Sequence, residues 1–343
     1  MDGMFSSFPK ILDRNFVFGF LVPVLVALVS LLFVLRDMAP FSDLYRDTLD
    51  QAKADSLTLV VLVVAVATIL LTVINIPLYR FLEGYIGPLR SEDERKRYRQ
   101  ELLDGRAKFD KNEKTIRMPG RDPAIDKIDD DRHYQDLREL YERFPRDPRH
   151  VLPTRLGNAI RAFETYSYWV YGIDSIAAWS RLQAVLPKQA LASVDDSRAK
   201  VDLCVNVWLL ALIVAAVAAA HCVLALTSWV EVPRFRYGNA AIAIIALATA
   251  AAAYELAVML VPAWGGFVKA AFDLYLPELA RQLGYQLPEA SKRRAFWDEV
   301  NSQFFYWSPI DSAQWPAAEL KPAKPAPDGD LPKYETGDGG NES

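Results

Sequence analysis

Four long apolar runs, at 16–35, 57–79, 203–230 and 239–268, are set among strongly polar stretches along the 343-residue chain. Each is as long as or longer than the roughly 20 residues an α-helix needs to cross about 30 Å of hydrocarbon. Backbone polar groups in lipid must be satisfied within the segment, so the spans are expected to be helical. The pattern predicts an all-α integral membrane protein in which two transmembrane helical hairpins flank a helical cytoplasmic domain. The first hairpin falls within 1–79, the insert is 80–202, and the second hairpin is 203–268. Amphipathic helices at 269–315 and a Pro, Gly, Asp and Lys-rich tail at 316–343 follow; the tail is too poor in apolar residues to order itself.

Inside the insert the apolar residues recur at helical rather than strand spacing. A charged helix is expected from 92 to 103, an irregular polar connection from 106 to 123, and a helix from 134 to 144. Thr154 is placed to cap a helix reaching about Tyr166, and Asp174 to cap another that Pro187 ends. From Lys188 no breaker precedes the third span, so one helix should run from the insert into the bilayer. Beyond the fourth span, helices are expected at 270–283 and 291–305. Phe296, Val300 and Phe304 form a stripe on the second, which either docks on the insert or lies among lipid headgroups beside Trp297 and Trp307. The loop at 36–56 should hold a short helix, and 231–238 a tight turn.

Charge orients this scheme. Lys10, Arg14, Arg80, the cluster Arg95, Lys96, Arg97 and Arg99, then Lys188, Arg198, Lys200, Lys269 and Arg281 flank one set of span ends. The opposite ends carry fewer basic residues. Both termini and the insert are therefore expected in the cytoplasm. The first run exceeds a signal peptide's apolar core and lacks a small-x-small cleavage site, so it is read as a retained span. Roughly half of 80–149 is charged, with the signs nearly balanced. That mixture does not provide the one-signed field that nucleic-acid binding uses, so no nucleic acid is expected.

Polar residues within the spans are the first candidates for chemistry. Glu255 falls in the fourth run, Asn75 in the second at a similar inner depth, and His221 on the outer side of the third. A charge at that depth must be protonated, paired or beside water. Glu255 therefore marks either a proton or cation path, or a neutral acid joining helices, with Asn75 as its partner. Ala211, Ala215 and Ala219, with Ala246, Ala250 and Ala253 or Ala257, allow close helix approach, either within the second hairpin or at a homo-oligomer seam. Pro23 and Pro77 are sites of helix kinks. Cys204 and Cys222, eighteen positions apart on one helix, would stand about 27 Å apart and cannot pair within the chain.

At the cytoplasmic face, Asn75-Ile76-Pro77 with Arg80 and Glu83-Gly84-Tyr85, then Leu152-Pro153-Thr154-Arg155-Leu156-Gly157-Asn158, Tyr171-Gly172-Ile173-Asp174 and Trp179-Ser180-Arg181-Leu182, resemble uncharacterised bacterial polytopic (four-span) membrane proteins. The resemblance covers the chain from the second span to the start of the third. It implies a bacterial plasma (inner) membrane and carries no activity, so no catalytic residue transfers. Arg80 and Glu83 are spaced to pair on one helix face, while Arg155, Asn158, Arg161, Glu164, Asp174 and Arg181 are cytoplasmic interaction candidates or fold-stabilising groups. No phosphate loop, zinc-protease motif or nucleophile elbow is present. The sequence predicts no enzyme, no metal and no cofactor. Its expected partners are the lipid bilayer and a cytoplasmic protein. The function it favours is a non-enzymatic scaffold or signalling component, with an oligomeric proton or cation channel or transporter using Glu255 as the alternative.

Overall fold

The computed structural model describes residues 14–38, 41–50, 53–116, 123–227, 237–308, 310 and 315. Among the described residues four helices are long and apolar enough to cross a membrane: α1 (Arg14–Leu35), α3 (Ala54–Leu82), α9 (Lys188–Thr227) and α10 (Tyr237–Gln282). A short α2 (Phe41–Tyr45) follows α1 and passes into a π-helical turn, Arg46–Asp50. Between α3 and α9 lie α4 (Glu92–Ile116), α5 (Pro123–Arg143), α6 (Arg155–Glu164), α7 (Tyr166–Tyr171) and α8 (Ser175–Val185), and α11 (Arg293–Tyr306) follows α10. The described residues form no β-strand.

The insert is more helical than its composition suggests. The connection expected at 106–123 is helix as far as Ile116, because α4 continues through Gly105 on a run of good helix formers and packs along α5. A bare glycine lets them approach: a Cβ at Gly105 would lie 2.8 Å from Leu140. Tyr98, Leu102, Phe144 and Val151 fill that contact, and Arg143 reaches Glu101 across it at 2.8 Å. Likewise α5 begins at Pro123 rather than near Tyr134, since proline at a first helical position forfeits only an N–H that has no partner anyway.

Capping sets the next two helices. Thr154 accepts from the Gly157 N–H at 3.0 Å and starts α6; Asp174 accepts from the Ala177 N–H at 2.9 Å and starts α8. With 40 and 46 residues, α9 and α10 are about 60 and 69 Å long, each far beyond the ~30 Å hydrocarbon thickness. They pack against each other, and α1 lies on α9, with Ala27, Val214 and Ala215 in one buried cluster with Ala246 of α10. The alanine stripe expected at 211, 215 and 219 is shifted, with Val214, Ala215 and Ala218 buried and Ala219 exposed; on α10, Ala246, Ala250, Ala253 and Ala257 are all buried. Helix α3 meets α1 and α9 through Val24, Val64 and Leu71.

The largest core joins the two parts of the molecule. Leu78 and Leu82 of α3, Leu156, Ile160 and Phe163 of α6, Leu182 of α8, Val201 and Val205 of α9, and Ala257, Val261 and Phe272 of α10 belong to one buried cluster. Phe296, Trp297 and Val300 of α11 are fully buried in it, so the C-terminal stripe docks on protein, while Trp307 stands exposed. The helix expected at 270–283 is a continuation of α10, not a separate element. The turn at 231–238 and the tail from 316 lie outside the described residues.

Candidate functional site at the foot of the spans

Glu255 does not meet Asn75. Arg155, the first residue of α6, holds both of its carboxylate oxygens, at 2.7 and 2.8 Å, on a half-exposed face. From Ala257 onward the inner face of α10 is covered by α6 and α8, so part of the run expected in lipid is packed against protein. Phe163 makes an edge contact with Trp264 at 4.9 Å, and a Cβ at Gly265 would meet Phe163 at 2.6 Å. A long apolar run by itself does not distinguish lipid from a neighbouring helix.

Asn75 instead faces α9. Its Nδ2 lies 3.5 Å from Asn206 Oδ1, and Asn206 donates to the Gly19 carbonyl of α1 at 2.8 Å. One turn below, the Tyr79 hydroxyl donates to Asp202 at 2.8 Å, and Arg198 stands 3.6 Å from the same carboxylate. Asn75, Tyr79, Asp202 and Asn206 are all buried. Neither Asp202, one residue outside the third apolar run, nor Asn206, within it, is among the sequence candidates; their i, i+4 spacing on one helix face was the available signal. His221 forms a separate pair with Asn239 at 3.0 Å, and Asn239 also approaches the Val34 carbonyl at 3.4 Å, tying α1, α9 and α10 together.

Beside the Asn75 ladder lies a cavity of about 330 Å³, bounded by α3, α6, α8, α9 and α10. Its wall includes Arg80, Glu83, Glu164 and Arg198 among the aromatic and aliphatic surfaces of Phe163, Trp179 and Trp264. Apolar walls with a few convergent polar groups are the usual composition of a small-ligand site. Gly157 sets its depth: a Cβ there would lie 2.6 Å from the Glu83 carbonyl, so only glycine lets α6 press against the end of α3. Gly84, at φ 84°, then turns the chain away just after Glu83.

Arg80 and Glu83, expected to pair, make no ion pair or hydrogen bond with each other; the helix ends at Leu82 and Glu83 occupies its cap. Glu164 is held by Arg161 at 3.1 Å, yet burial pushes its carboxyl above the usual range against that attraction. The other candidates serve the fold. Asn158 is fully buried and clasps both backbone groups of Leu152, at 2.7 and 2.9 Å, so it is no surface contact. Asp174 is occupied as a cap, and Arg181 lies 3.9 Å over the Phe304 ring. Asn301, unmarked by any sequence pattern, bonds the Asp174 N–H and the Gly172 carbonyl and fixes α11 to the turn before α8.

No protein-family model, curated protein or solved structure matches this chain.

Proposed function

We propose that the chain is a multi-pass protein of the bacterial plasma membrane, with α1 and α3 forming one transmembrane hairpin, α9 and α10 the other, and both termini cytoplasmic. It acts as a non-enzymatic scaffold or signalling component through the helical domain of α4–α8 and α11. The observation that carries this reading is the single core uniting that domain with α3, α9 and α10. A displacement of the spans must move the cytoplasmic helices with it, because close-packed interiors transmit strain rather than absorb it. The exposed aromatic group Phe305, Tyr306 and Trp307 at the end of α11 is the surface we assign to a cytoplasmic protein partner.

The conducting alternative depended on Glu255 facing a path between helices. Its pairing with Arg155 on a half-exposed surface is why we favour the scaffold. The test is proton and cation flux in liposomes holding the purified protein, wild type against Glu255→Gln. A scaffold leaves permeability at the level of protein-free liposomes for both, whereas a wild-type flux that Glu255→Gln abolishes overturns the proposal.

A further inference from the structure

We infer that the cavity between α3, α6, α8, α9 and α10 binds the headgroup of a zwitterionic aminophospholipid from the inner leaflet; this rests on the membrane reading above. The first ground is charge. The cavity wall carries both signs, the guanidinium groups of Arg80 and Arg198 and the carboxylates of Glu83, Glu164 and Asp195. A purely anionic headgroup would face the carboxylates and a purely cationic one the guanidiniums, whereas a phosphate joined to an ammonium satisfies each sign.

The second ground is unsatisfied bonding. Glu83 is half-buried, and the Arg161 and Arg80 charges attract its carboxylate without a side-chain hydrogen bond among the described residues. The indole N–H of Trp264 is buried and likewise has no partner. Enclosed polar groups without partners are costly, and ones that converge on a cavity point to a ligand that completes them. A primary ammonium donates hydrogen bonds to a carboxylate and a quaternary one does not, so ethanolamine is favoured over choline.

The third ground decides between lipid and a soluble phosphoethanolamine. Leu62, Val66, Ile69, Val73 and Ile76 form an exposed apolar stripe at i, i+4, i+7 spacing along α3, and Ile76, 70 % exposed, is on the cavity wall. Ile176 of α8, also exposed, lines the same cavity. An acyl chain lying on that stripe would deliver its headgroup to Arg80 without leaving the hydrocarbon.

The experiment is native mass spectrometry of the full chain in detergent, titrated with phosphatidylethanolamine, phosphatidylcholine and phosphatidylglycerol of equal chain length. Phosphatidylethanolamine should bind about tenfold more tightly than either, the effect of one charge-assisted hydrogen bond. Glu83→Gln should reduce its affinity to that of phosphatidylcholine, and Arg80→Gln should weaken all three. Ile76→Trp, which changes only an exposed rim residue, should block binding without altering the helical circular dichroism. Equal binding of the three lipids, no effect of Glu83→Gln, or displacement by equimolar soluble phosphoethanolamine overturns the inference. Alkaline carbonate extraction separates the two readings: protein released from membranes contradicts the membrane reading itself, while retained protein without lipid preference contradicts only the cavity's.

Discussion

Single side chains determine how closely the helices of the insert pack. Asn158 answers both the N–H and the C=O of Leu152 from a fully buried position. Asn158→Ala leaves both groups without partners, so it should cost about 2–4 kcal/mol, read by denaturant unfolding in micelles. Asp147 is a different case. It accepts from the Arg149 backbone and grips the Arg149 guanidinium at 2.6 Å, which holds its carboxyl down at about 2. A lowered carboxylate stabilises the fold above its ordinary titration range and loses that contribution as pH falls through its folded value. The thermal midpoint of the wild type should therefore exceed that of Asp147→Asn near neutral pH, with the gap closing from about pH 4 to about pH 2. Sequence marked Asn158 as a site but not as a clasp, since the Leu152 backbone it serves is met only once Pro153 turns the chain into α6.

At the scale of elements, what could be read in advance was whatever depends on local rules. The caps at Thr154 and Asp174, the stop at Pro187 and the unbroken passage from Lys188 into the third apolar run all follow from neighbouring residues. The packing of α10 was not legible, because an apolar run does not reveal that Val261 and Val268 share a buried cluster with Ile160 and Phe163. Nor was the extent of α4, whose support comes from α5. Adjacent glycines test this account of α10. A Cβ at Gly265 meets the Phe163 ring at 2.6 Å, whereas one at Gly266 meets nothing within 4 Å. Gly265→Ala should destabilise by about 1–3 kcal/mol through overpacking. Gly266→Ala should stabilise by up to about 1 kcal/mol, the helix-propensity gain. Equal effects at the two positions, in thermal unfolding of the purified variants, would mean that α6 does not pack there.

For the whole molecule, the decisive quantity is length. Helices α9 and α10 exceed a bilayer's hydrocarbon by half their extent or more, and α6 and α8 pack on α10, with α11 carried on α8 and α7. The candidate spans and the helices proposed to be cytoplasmic thus share the same two long helices, and the cavity lies between α3, α6, α8, α9 and α10. The proposed topology puts α2 on one side of the membrane and α4 and α11 on the other. The most direct measurement is labelling by a membrane-impermeant maleimide in a background of Cys204→Ala and Cys222→Ala. Single cysteines would replace the exposed Asp43, Lys108 and Lys292. Asp43→Cys should react in intact cells, and Lys108→Cys and Lys292→Cys only after permeabilisation. Reaction of Lys108→Cys in intact cells would contradict the account, because the domain proposed to act in the cytoplasm would then stand outside.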